Sequence, residues 1–583
     1  MDSADTEDDF QDACEIQPMP CSMDIDTAME EARSAVHYFF NNKFEEAREI
    51  LKPWAETSMY HAVGNSVFLF LEAMLTFEQG HIEAASDALK HCIAVCNKYR
   101  KKSTITESIG KMVKKTNYEQ YTTEEIHAEL CYAESLLLKS MLTFIEDETL
   151  VSFIKAGLKI RLCYNSYKEC MNILNTRKWQ HENHKIHFES GVRMGIGAFN
   201  LMISLLPGRV IKLLEFIGFS GSRHVGLKEL ELGYKLHNSI RQILCVMALL
   251  CYHLIVIHVF SHFEGDLDFC DEILKHQLQL YPDGVWFLFF KGRLEFMKGN
   301  IDESISWYTR SWKSQSVWPQ FHHLCFWELT WTNSIKCDWR EASVYAGFLL
   351  EESRWSKTIY SYQKAAILIM LGENMTAEEK SEIENLMRNA PQWKQRIAGK
   401  SLPMEKFAIK KTSRYFTQEN SLVLPAIELM YVWNLFKVLG KKHHLVLQMY
   451  KIIEKALVRL NEQQERTDYD ADNRALVLLL KAACLRQMRS PLQAEECLQT
   501  VLSLEKKLKE DLYLVPYAMV ELAFVCKDMG DLNRASQLLE DAKKNYTGYS
   551  LESRLHFKIH AFQADLEETK QSSDEKVPES SKF

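Results

Sequence analysis

The sequence predicts an all-α fold in which amphipathic helical hairpins stack as an α-solenoid, with a central hydrophobic helical block. One helix-turn-helix pattern recurs along the chain, and a hairpin that cannot bury its own apolar face must stack on its neighbours. Glycine (22) and proline (12) are also scarce among the 583 residues. Because their combined share is about half the usual value of roughly 12%, we expect few turns and long helices.

The recurring pattern is an apolar helix, a turn and a second amphipathic helix, and its clearest copies begin at Phe70, Phe289 and Met519. Small residues recur at three places in this pattern: on the first helix where it meets its neighbour, in the turn, and on the second helix. In the turn, a residue that takes a positive φ would end the first helix. These repeat-packing positions are Ala73, Gly292 and Ala523, then Gly80, Gly299 and Gly530, and then Ala85, Ser304 and Ala535. Their spacing resembles the tetratricopeptide repeat, a unit of about 34 residues.

Charge and cysteine usage limit the partners and the compartment. The net charge of −9, from 70 basic and 79 acidic residues, gives no basic field of the kind that nucleic-acid binding needs. The 15 cysteines form no CxxC pair, and eleven acidic residues precede the first basic residue, Arg33. From this acidic start we expect no secretory or mitochondrial leader. We therefore expect a cytoplasmic, reducing location and no nucleic-acid partner.

Composition divides the chain into repeat-bearing blocks, linkers and tails. The two ends are polar and are expected to be disordered, because they cannot bury enough apolar surface to order. The predicted segments are an acidic tail over 1–25, N-terminal helical repeats over 26–190 with a basic linker near 98–124, a central helical block with repeats over 191–376, a polar linker over 377–421, C-terminal repeats over 422–568, and a tail over 569–583.

Candidates for chemistry are few. His181, His184 and His187 could bring two imidazoles to one cation on a helix, but they lack the HExxH order and a cysteine partner, so a solvated polar segment is favoured. Gly195 and Gly197 follow no phosphate-loop order, and close helix packing is the favoured interpretation. No GxSxG motif occurs. We predict no enzymatic activity, no metal, no cofactor and no small-molecule substrate.

A long apolar run leaves two interpretations open. The segment from Ile243 to Phe260 holds no Asp, Glu, Lys or Arg, which meets the lower limit for a membrane-spanning helix. His253 and His258 are costly in a membrane, so a buried core helix is favoured. The preceding amphipathic stretch, LLPGRVIKLLEFIGF, could lie against a partner helix or a bilayer surface. Peripheral membrane contact therefore remains the alternative.

Several long phrases carry a resemblance to a known family. They include GVRMGIGAFNLMISLLPGRVIKLLEFIGFSGSRHVGLKEL, EESRWSKTIYSYQKAAIL, LPAIELMYVWNLF and YLVPYAMVELAFVCKDMGDLNRASQLLEDA. The chain resembles the tetratricopeptide repeat protein 39 family, which is grouped with a fungal inclusion-body clearance protein. The resemblance implies an all-helical, intracellular protein without assigned catalytic activity that acts through protein contacts. Some relatives are connected with lipid handling and others with cilium assembly.

The concave side of the repeats is the candidate protein-binding groove. Repeats that bind acidic chaperone tails present basic residues there, but here only Arg293 could meet a carboxylate. An apolar groove should either take an amphipathic helix or extended peptide, or be filled by the chain itself, and self-filling is favoured. The groove positions are Trp286, Phe289, Arg293, Phe296, Met297, Trp327 and Trp331. We therefore expect a non-enzymatic protein-interaction scaffold with unidentified protein partners; the alternative is a lipid-surface protein that uses the central block.

Overall fold

The computed structural model describes residues 23–574 apart from 77, 102–116, 147–149, 206–220, 261–262, 354, 395–401 and 464–466. Over these ranges the secondary structure is helical, with turns between the helices and no strand. The predicted all-α class is confirmed. Most of the expected acidic tail, most of the basic linker near 98–124 and the stretch LLPGRVIKLLEFIGF lie outside the described residues.

The chain forms two compact units. The first comprises the chain up to Cys251 together with Leu280–Val285, and the second comprises Tyr252–Gln279 and the chain from Trp286 onward. The helices of the first unit are α1 (Ile25–Phe40), α2 (Phe44–Leu51), α3 (Met59–Thr76), α4 (Gln79–Tyr99), α5 (Thr123–Glu146), α6 (Leu150–Thr176), α7 (Glu182–Ser204), α8 (Arg223–Tyr234) and α9 (Gln242–Cys251).

The second unit begins with a single π-helical turn over Tyr252–Val256. Its helices are α10 (Ile257–Phe260), α11 (Leu267–Leu280), α12 (Val285–Met297), α13 (Ile301–Lys313), α14 (Pro319–Ile335), α15 (Trp339–Glu352), α16 (Lys357–Ile369), α17 (Ala377–Asn389), α18 (Pro403–Thr417), α19 (Pro425–Val432), α20 (Phe436–Leu439), α21 (His443–Glu462), α22 (Asp470–Gln487), α23 (Pro491–Ser503), α24 (Leu514–Asp528), α25 (Leu532–Asn545) and α26 (Glu552–Asp574). Successive helices pack as hairpins within each unit.

The three clearest repeat copies form the hairpins α3–α4, α12–α13 and α24–α25. Their small residues lie at the helix crossings: Ala73, Ala85, Ser304, Ala523 and Ala535 are at most 1% exposed. A Cβ at Gly292 would stand 2.7 Å from Cδ1 of Tyr308, which is closer than van der Waals contact allows. The Ser304 hydroxyl donates to the Gly292 carbonyl oxygen at 2.9 Å, so the two helices are also joined by a hydrogen bond.

The turn glycine differs between the first repeat copy and the other two. Gly299 and Gly530 take φ values of 76° and 86°, which only glycine adopts without strain, and each ends the first helix of its hairpin. Gly80 does not take a positive φ and lies inside α4. A Cβ added at this position would have no atom within 4 Å. The expected turn role of Gly80 is therefore wrong, because α4 starts one residue earlier, at Gln79.

Close helix packing explains the glycines of α7. A Cβ at Gly195 would stand 1.9 Å from the Tyr167 ring, and one at Gly197 would stand 2.6 Å from Cγ of Leu230. Helix α7 therefore lies tightly between α6 and α8 in the first unit. The boundary expected at 190/191 falls in the middle of α7 and does not separate two blocks.

The segment 377–421, expected to be a polar linker, contains two helices, α17 and α18. Helix α18 buries Phe407 together with Lys411 and Arg414, all at most 3% exposed. The two basic side chains, which on sequence grounds favour a surface position, are buried because carboxylates elsewhere in the unit pair with them. Their partners are described with the site below.

The apolar run around Ile243 is helical. Gln242–Val259 forms a stretch of 18 residues with mean hydropathy 2.2, and 50% of it is buried. Within the part of the chain that the structure describes, this stretch alone is long and apolar enough to cross a membrane. Length and composition do not distinguish such a span from a core helix.

Candidate interaction groove

The groove residues expected from the sequence line the interior of the second unit. Trp286 and Trp327 are partly buried, and the other five, Phe289, Arg293, Phe296, Met297 and Trp331, are at most 7% exposed. The Trp286 ring packs edge-on against Phe321, and the Trp327 ring packs edge-on against Trp433. Five of the seven positions are therefore buried within the same unit, as the self-filled alternative expects, and only Trp286 and Trp327 retain partial exposure.

The Arg293 side chain binds residues of its own unit. Its Nη1 lies 2.6 Å from Oε2 of Glu328, and its Nε donates to the Leu254 carbonyl oxygen at 3.0 Å. The Tyr308 hydroxyl donates to the same Glu328 oxygen at 3.1 Å. Burial lowers the pKa of Arg293, but Glu328 outweighs it and raises that pKa overall. This side chain therefore balances a buried carboxylate and is not available to bind a chaperone tail.

An open cleft lies elsewhere in the second unit, with a volume of about 1,720 Å³. The segments that line it come from the ends of helices that are far apart in sequence. They are 337–340, 369–374, 417–424 without Asn420, one face of α21 from Ile452 to Gln463, 467–469, Asn473 and Lys509. We call this cleft the C-terminal groove.

The C-terminal groove carries a strip of partly exposed apolar side chains. The end of α16, the loop before α19 and the face of α21 each contribute two or three of them. They are Ile369, Met370, Leu371, Leu422, Val423, Ile452, Ala456 and Leu460. The residues of α21 are spaced by four, so they share one face of that helix.

The loop between α18 and α19 has an unusual backbone. Glu419, Asn420 and Leu424 take φ values of 54°, 55° and 48°. Leu424 also precedes Pro425, whose ring restricts the backbone of the residue before it. A non-glycine residue held in this region costs about 1–3 kcal/mol and persists only where packing fixes it. Burial of the Leu424 side chain, 9% exposed, provides that packing at the base of the groove.

Charged side chains surround the apolar strip. The Arg459 guanidinium pairs with Glu373 at 3.0 Å and the Lys509 ammonium with Asp468 at 2.6 Å, while Arg340 pairs with the neighbouring Glu379. Lys455, which lines the groove and is exposed, forms no ion pair with any described residue. Among the described residues that line the groove, Lys455 is therefore a cation without an ion pair, and Asp338 and Glu419 are carboxylates without one.

A buried ion network supports the base of the groove. The Lys411 ammonium lies 2.6 Å from Glu428 and 2.8 Å from Asp511, and Arg414 pairs with the same Asp511 oxygen. Arg414 also donates to Asn473 Oδ1 at 2.6 Å, and Asn473 lines the groove. The segment 403–417 thereby fixes a groove residue that is distant in sequence.

The carboxylates of this network have opposite pKa shifts. Burial raises the pKa of Asp511, but Lys411 and Arg414 outweigh it and lower that pKa overall. Burial also raises the pKa of Glu428, and here the attraction of Lys411 does not compensate. Asp511 is therefore the main counter-ion of the two bases, because both approach it.

A third carboxylate positions the rim. The Asp472 side chain accepts hydrogen bonds from the backbone N–H groups of Lys509, Glu510 and Asp511, at 2.9, 2.9 and 2.7 Å. Three donors from consecutive residues converge on one buried carboxylate, which is a strongly constraining arrangement. This contact holds the connection between α23 and α24 against the start of α22.

The histidines at 181, 184 and 187 have separate roles. His184 Nε2 lies 2.6 Å from Asp26 Oδ1, and His187 Nδ1 accepts the Ile240 backbone N–H at 3.1 Å. Burial and nearby Arg241 lower the pKa of His187 to about 4. Over the described ranges no group of three or more His, Cys, Asp or Glu side chains is arranged to hold a metal ion.

No pattern in the sequence indicates the C-terminal groove as a whole. Only Leu-Val-Leu-Pro at 422–425, an apolar run that ends in proline and follows a polar stretch, could have indicated an ordered loop there. The remaining walls come from helix ends whose proximity depends on the stacking of the hairpins. Their apolar residues are indistinguishable in sequence from core residues.

Two solved structures, the human IFIT1 dimer with PPP-AAAA and yeast Tom70, match 83% and 93% of this chain and 95% and 96% of those chains. Their identities are 11% and 12% and their TM-scores 0.30 and 0.25, so nothing further follows from them.

The sequence comparisons are much stronger. Tetratricopeptide repeat protein ttc-39B of Caenorhabditis elegans is 37% identical over 546 residues, which is 93% of this chain and 92% of that protein. The family described as Iml2/Tetratricopeptide repeat protein 39 matches residues 33–488. This match covers the repeats of the first unit and every part of the C-terminal groove except Lys509. The chain therefore belongs to the Iml2/tetratricopeptide repeat protein 39 family.

Proposed function

We propose that this protein is a non-enzymatic interaction scaffold in the cytoplasm and that the C-terminal groove binds a segment of a partner protein. The observation that carries the proposal is the cleft of about 1,720 Å³ with its strip of partly exposed apolar side chains. Small-molecule pockets usually occupy about 300–1,000 Å³. The larger volume suits a peptide segment better than a small ligand.

The groove also indicates the chemistry of its partner segment. Apolar side chains of the partner would pack between the 422–423 loop and the face of α21, as anchors do in helix or strand recognition. Lys455, which forms no ion pair with a described residue, favours an Asp or Glu of the partner at its end of the groove, since a rim cation adds specificity and association rate. The partner is thus expected to carry an apolar segment with an acidic residue.

Binding of displayed peptides to the purified protein tests this proposal. A random peptide library is selected on the wild-type chain, and the selected peptides are measured on Val423→Asp and on Lys455→Glu. Leu492→Asp is the matched control, because Leu492 is 74% exposed and does not line the groove. We expect peptides with apolar and acidic residues that lose binding to both groove variants and keep it on the control. Peptides that bind all four proteins equally would contradict the proposal.

The alternative function is contact with a lipid surface through the central block. The observation in its favour is the apolar stretch Gln242–Val259, of which only half is buried. Flotation of the purified protein with vesicles of phosphatidylcholine and phosphatidylserine measures this contact directly. Flotation that is unchanged by Val423→Asp but lost on Met247→Lys would favour the alternative, since Met247 is a partly exposed residue of that helix.

A further inference from the structure

A second, much smaller cavity in the second unit has a distinct chemistry. It lies where α10 and α19 meet α24 and α26, and its volume of about 20 Å³ accommodates roughly one water-sized group. Arg554 and Lys558 both line it, together with Tyr431 and Val259. This cavity shares no lining residue with the C-terminal groove.

Arg554 and Lys558 are one helical turn apart on α26 and face the same cavity. Like charges at this spacing repel each other, and no carboxylate lines the cavity. The Arg554 Nε donates to the Val432 carbonyl oxygen at 2.9 Å, and its guanidinium lies 4.4 Å from the centre of the Trp433 ring. Its Nη2 is buried and has no hydrogen-bond partner.

The Lys558 ammonium is held by aromatic rings. It lies 5.2 Å from the centre of the Phe524 ring and 5.8 Å from that of Tyr431. Among the residues that the structure describes, it forms no hydrogen bond or ion pair. Burial lowers the pKa of Lys558 to about 8, with Glu521 opposing the shift and Arg486 and Arg554 adding to it.

The surroundings of the cavity contain more positive than negative charge. Glu521 is the nearest buried carboxylate, and it is already engaged by Arg486 at 2.6 Å and by the Tyr431 hydroxyl at 3.1 Å. Lys437 also repels the Lys558 ammonium electrostatically, which makes positive charge in this region more costly. The pKa of Lys437 is itself well below its ordinary value because of burial and of Lys558. Arg554 and Lys558 are partly buried, positive charge without a counter-ion is costly in such a site, and an anion between the two bases would lower that cost.

His258 does not line the cavity but lies in the same electropositive surroundings. Its side chain is 2% exposed, and neither ring nitrogen has a hydrogen-bond partner. Burial lowers its pKa well below the ordinary value, and Arg293, Lys437, Arg554 and Lys558 lower it further. The imidazole therefore stays neutral and does not add to the positive charge.

We propose that this cavity is a binding site for a single carboxylate group, held between the Arg554 guanidinium and the Lys558 ammonium. A carboxylate matches the planar donor geometry of arginine and can accept a second bond from the ammonium. The small volume has room for about one oxygen atom of the carboxylate, and it is too small for a whole phosphate ester or nucleotide. The remainder of the ligand, whether a small acid or the end of a peptide, would lie outside the cavity.

The test measures protection of the Lys558 amine on the full-length protein. Acylation of Lys558 by an N-hydroxysuccinimide ester is followed by mass spectrometry at pH 8 and constant ionic strength, with sodium acetate, chloride or phosphate. We expect acetate to slow acylation of Lys558 saturably and to leave exposed Lys506 unaffected. Equal rates with and without acetate, or equal protection by chloride or phosphate, would overturn the proposal.

A second measurement addresses the two bases directly. Acetate should raise the melting temperature of the wild type and of Lys506→Met, whereas in Lys558→Met its apparent affinity should fall by about tenfold, the effect of one lost charge-assisted bond. An unchanged affinity in Lys558→Met would contradict the site. If that variant does not fold, the acylation result on the wild type decides. Protection by a short peptide but not by its C-terminally amidated form would support the site and assign the carboxylate to a protein end.

Discussion

Arg459 and Glu373 form an ion pair of 3.0 Å that joins the face of α21 to the turn after α16 at the rim of the C-terminal groove. Their side chains are 55% and 89% exposed, so solvent screens the pair and its contribution to folding is small. The pair connects two walls of the groove without stabilising the unit strongly. It can therefore open at little cost when a partner segment enters.

The first prediction follows from that exposure. Glu373→Gln should change the free energy of unfolding by less than about 1 kcal/mol, measured by urea denaturation. It should also release Arg459 and strengthen the binding of acidic peptides selected on the groove. A large loss of stability would show that the pair is structural. Asp302→Asn, which breaks an exposed pair with Lys336 outside the groove, is the control for the loss of a surface carboxylate.

The second prediction concerns the buried network below the groove. Asp511→Asn removes the shared counter-ion of Lys411 and Arg414, and breaking a buried pair on one side typically costs about 3–5 kcal/mol. The urea midpoint should fall far more than in Glu373→Gln, and groove peptides should bind less well because Arg414 no longer orients Asn473. A midpoint like that of the wild type would contradict the burial of these charges.

The third prediction uses two glycines of the same repeat pattern. Gly292→Leu should destabilise by about 1–3 kcal/mol or more, because any side chain there meets the Tyr308 ring. Ala523→Leu, at a position 0% exposed, should act in the same direction. Gly80→Ala should be neutral or stabilising by up to about 1 kcal/mol, since its site is open and helical. Similar melting temperatures for Gly292→Leu and Gly80→Ala would refute the described helix crossing.

The fourth prediction concerns stability at alkaline pH. The folded-state pKa of Lys558, about 8, lies below its ordinary value of 10.5. Between these values the unfolded chain binds more protons, so this group makes the protein more stable as pH rises. The cost of burying the charge is fully present below pH 8. The free energy of unfolding of the wild type, relative to that of Lys558→Met, should therefore increase between about pH 8 and 10. Urea denaturation at each pH measures this difference.

Helical periodicity and small-residue spacing were enough to predict the all-α class and the crossings at Gly292 and Ala523. Both depend on short-range constraints, because a close helix approach admits only a small residue whatever the rest of the chain does. The role of Gly80 was missed, since a one-residue shift in the start of α4 moves it from turn to helix. Element boundaries depend on such single residues.

The site could not be found in the same way. Periodicity shows that Phe289 and Trp327 share a face of their helices, but it does not show that the chain covers that face. In the sequence, Lys411 and Arg414 indicate an exposed helix face, because no local pattern shows that they pair with Asp511, about a hundred positions further along the chain. Pairing over that separation arises from how the hairpins stack, which no local pattern encodes.

The three hydrogen bonds to Asp472 have a consequence for how this protein can vary. Connections between hairpins in repeat proteins usually tolerate insertions, because they cross the surface without fixed partners. Here one carboxylate fixes three successive peptide groups at 509–511, so a single added residue would misplace both the rim cation Lys509 and the buried Asp511. Length changes should therefore accumulate in other connections, and this one should keep a constant length while its exposed side chains change freely.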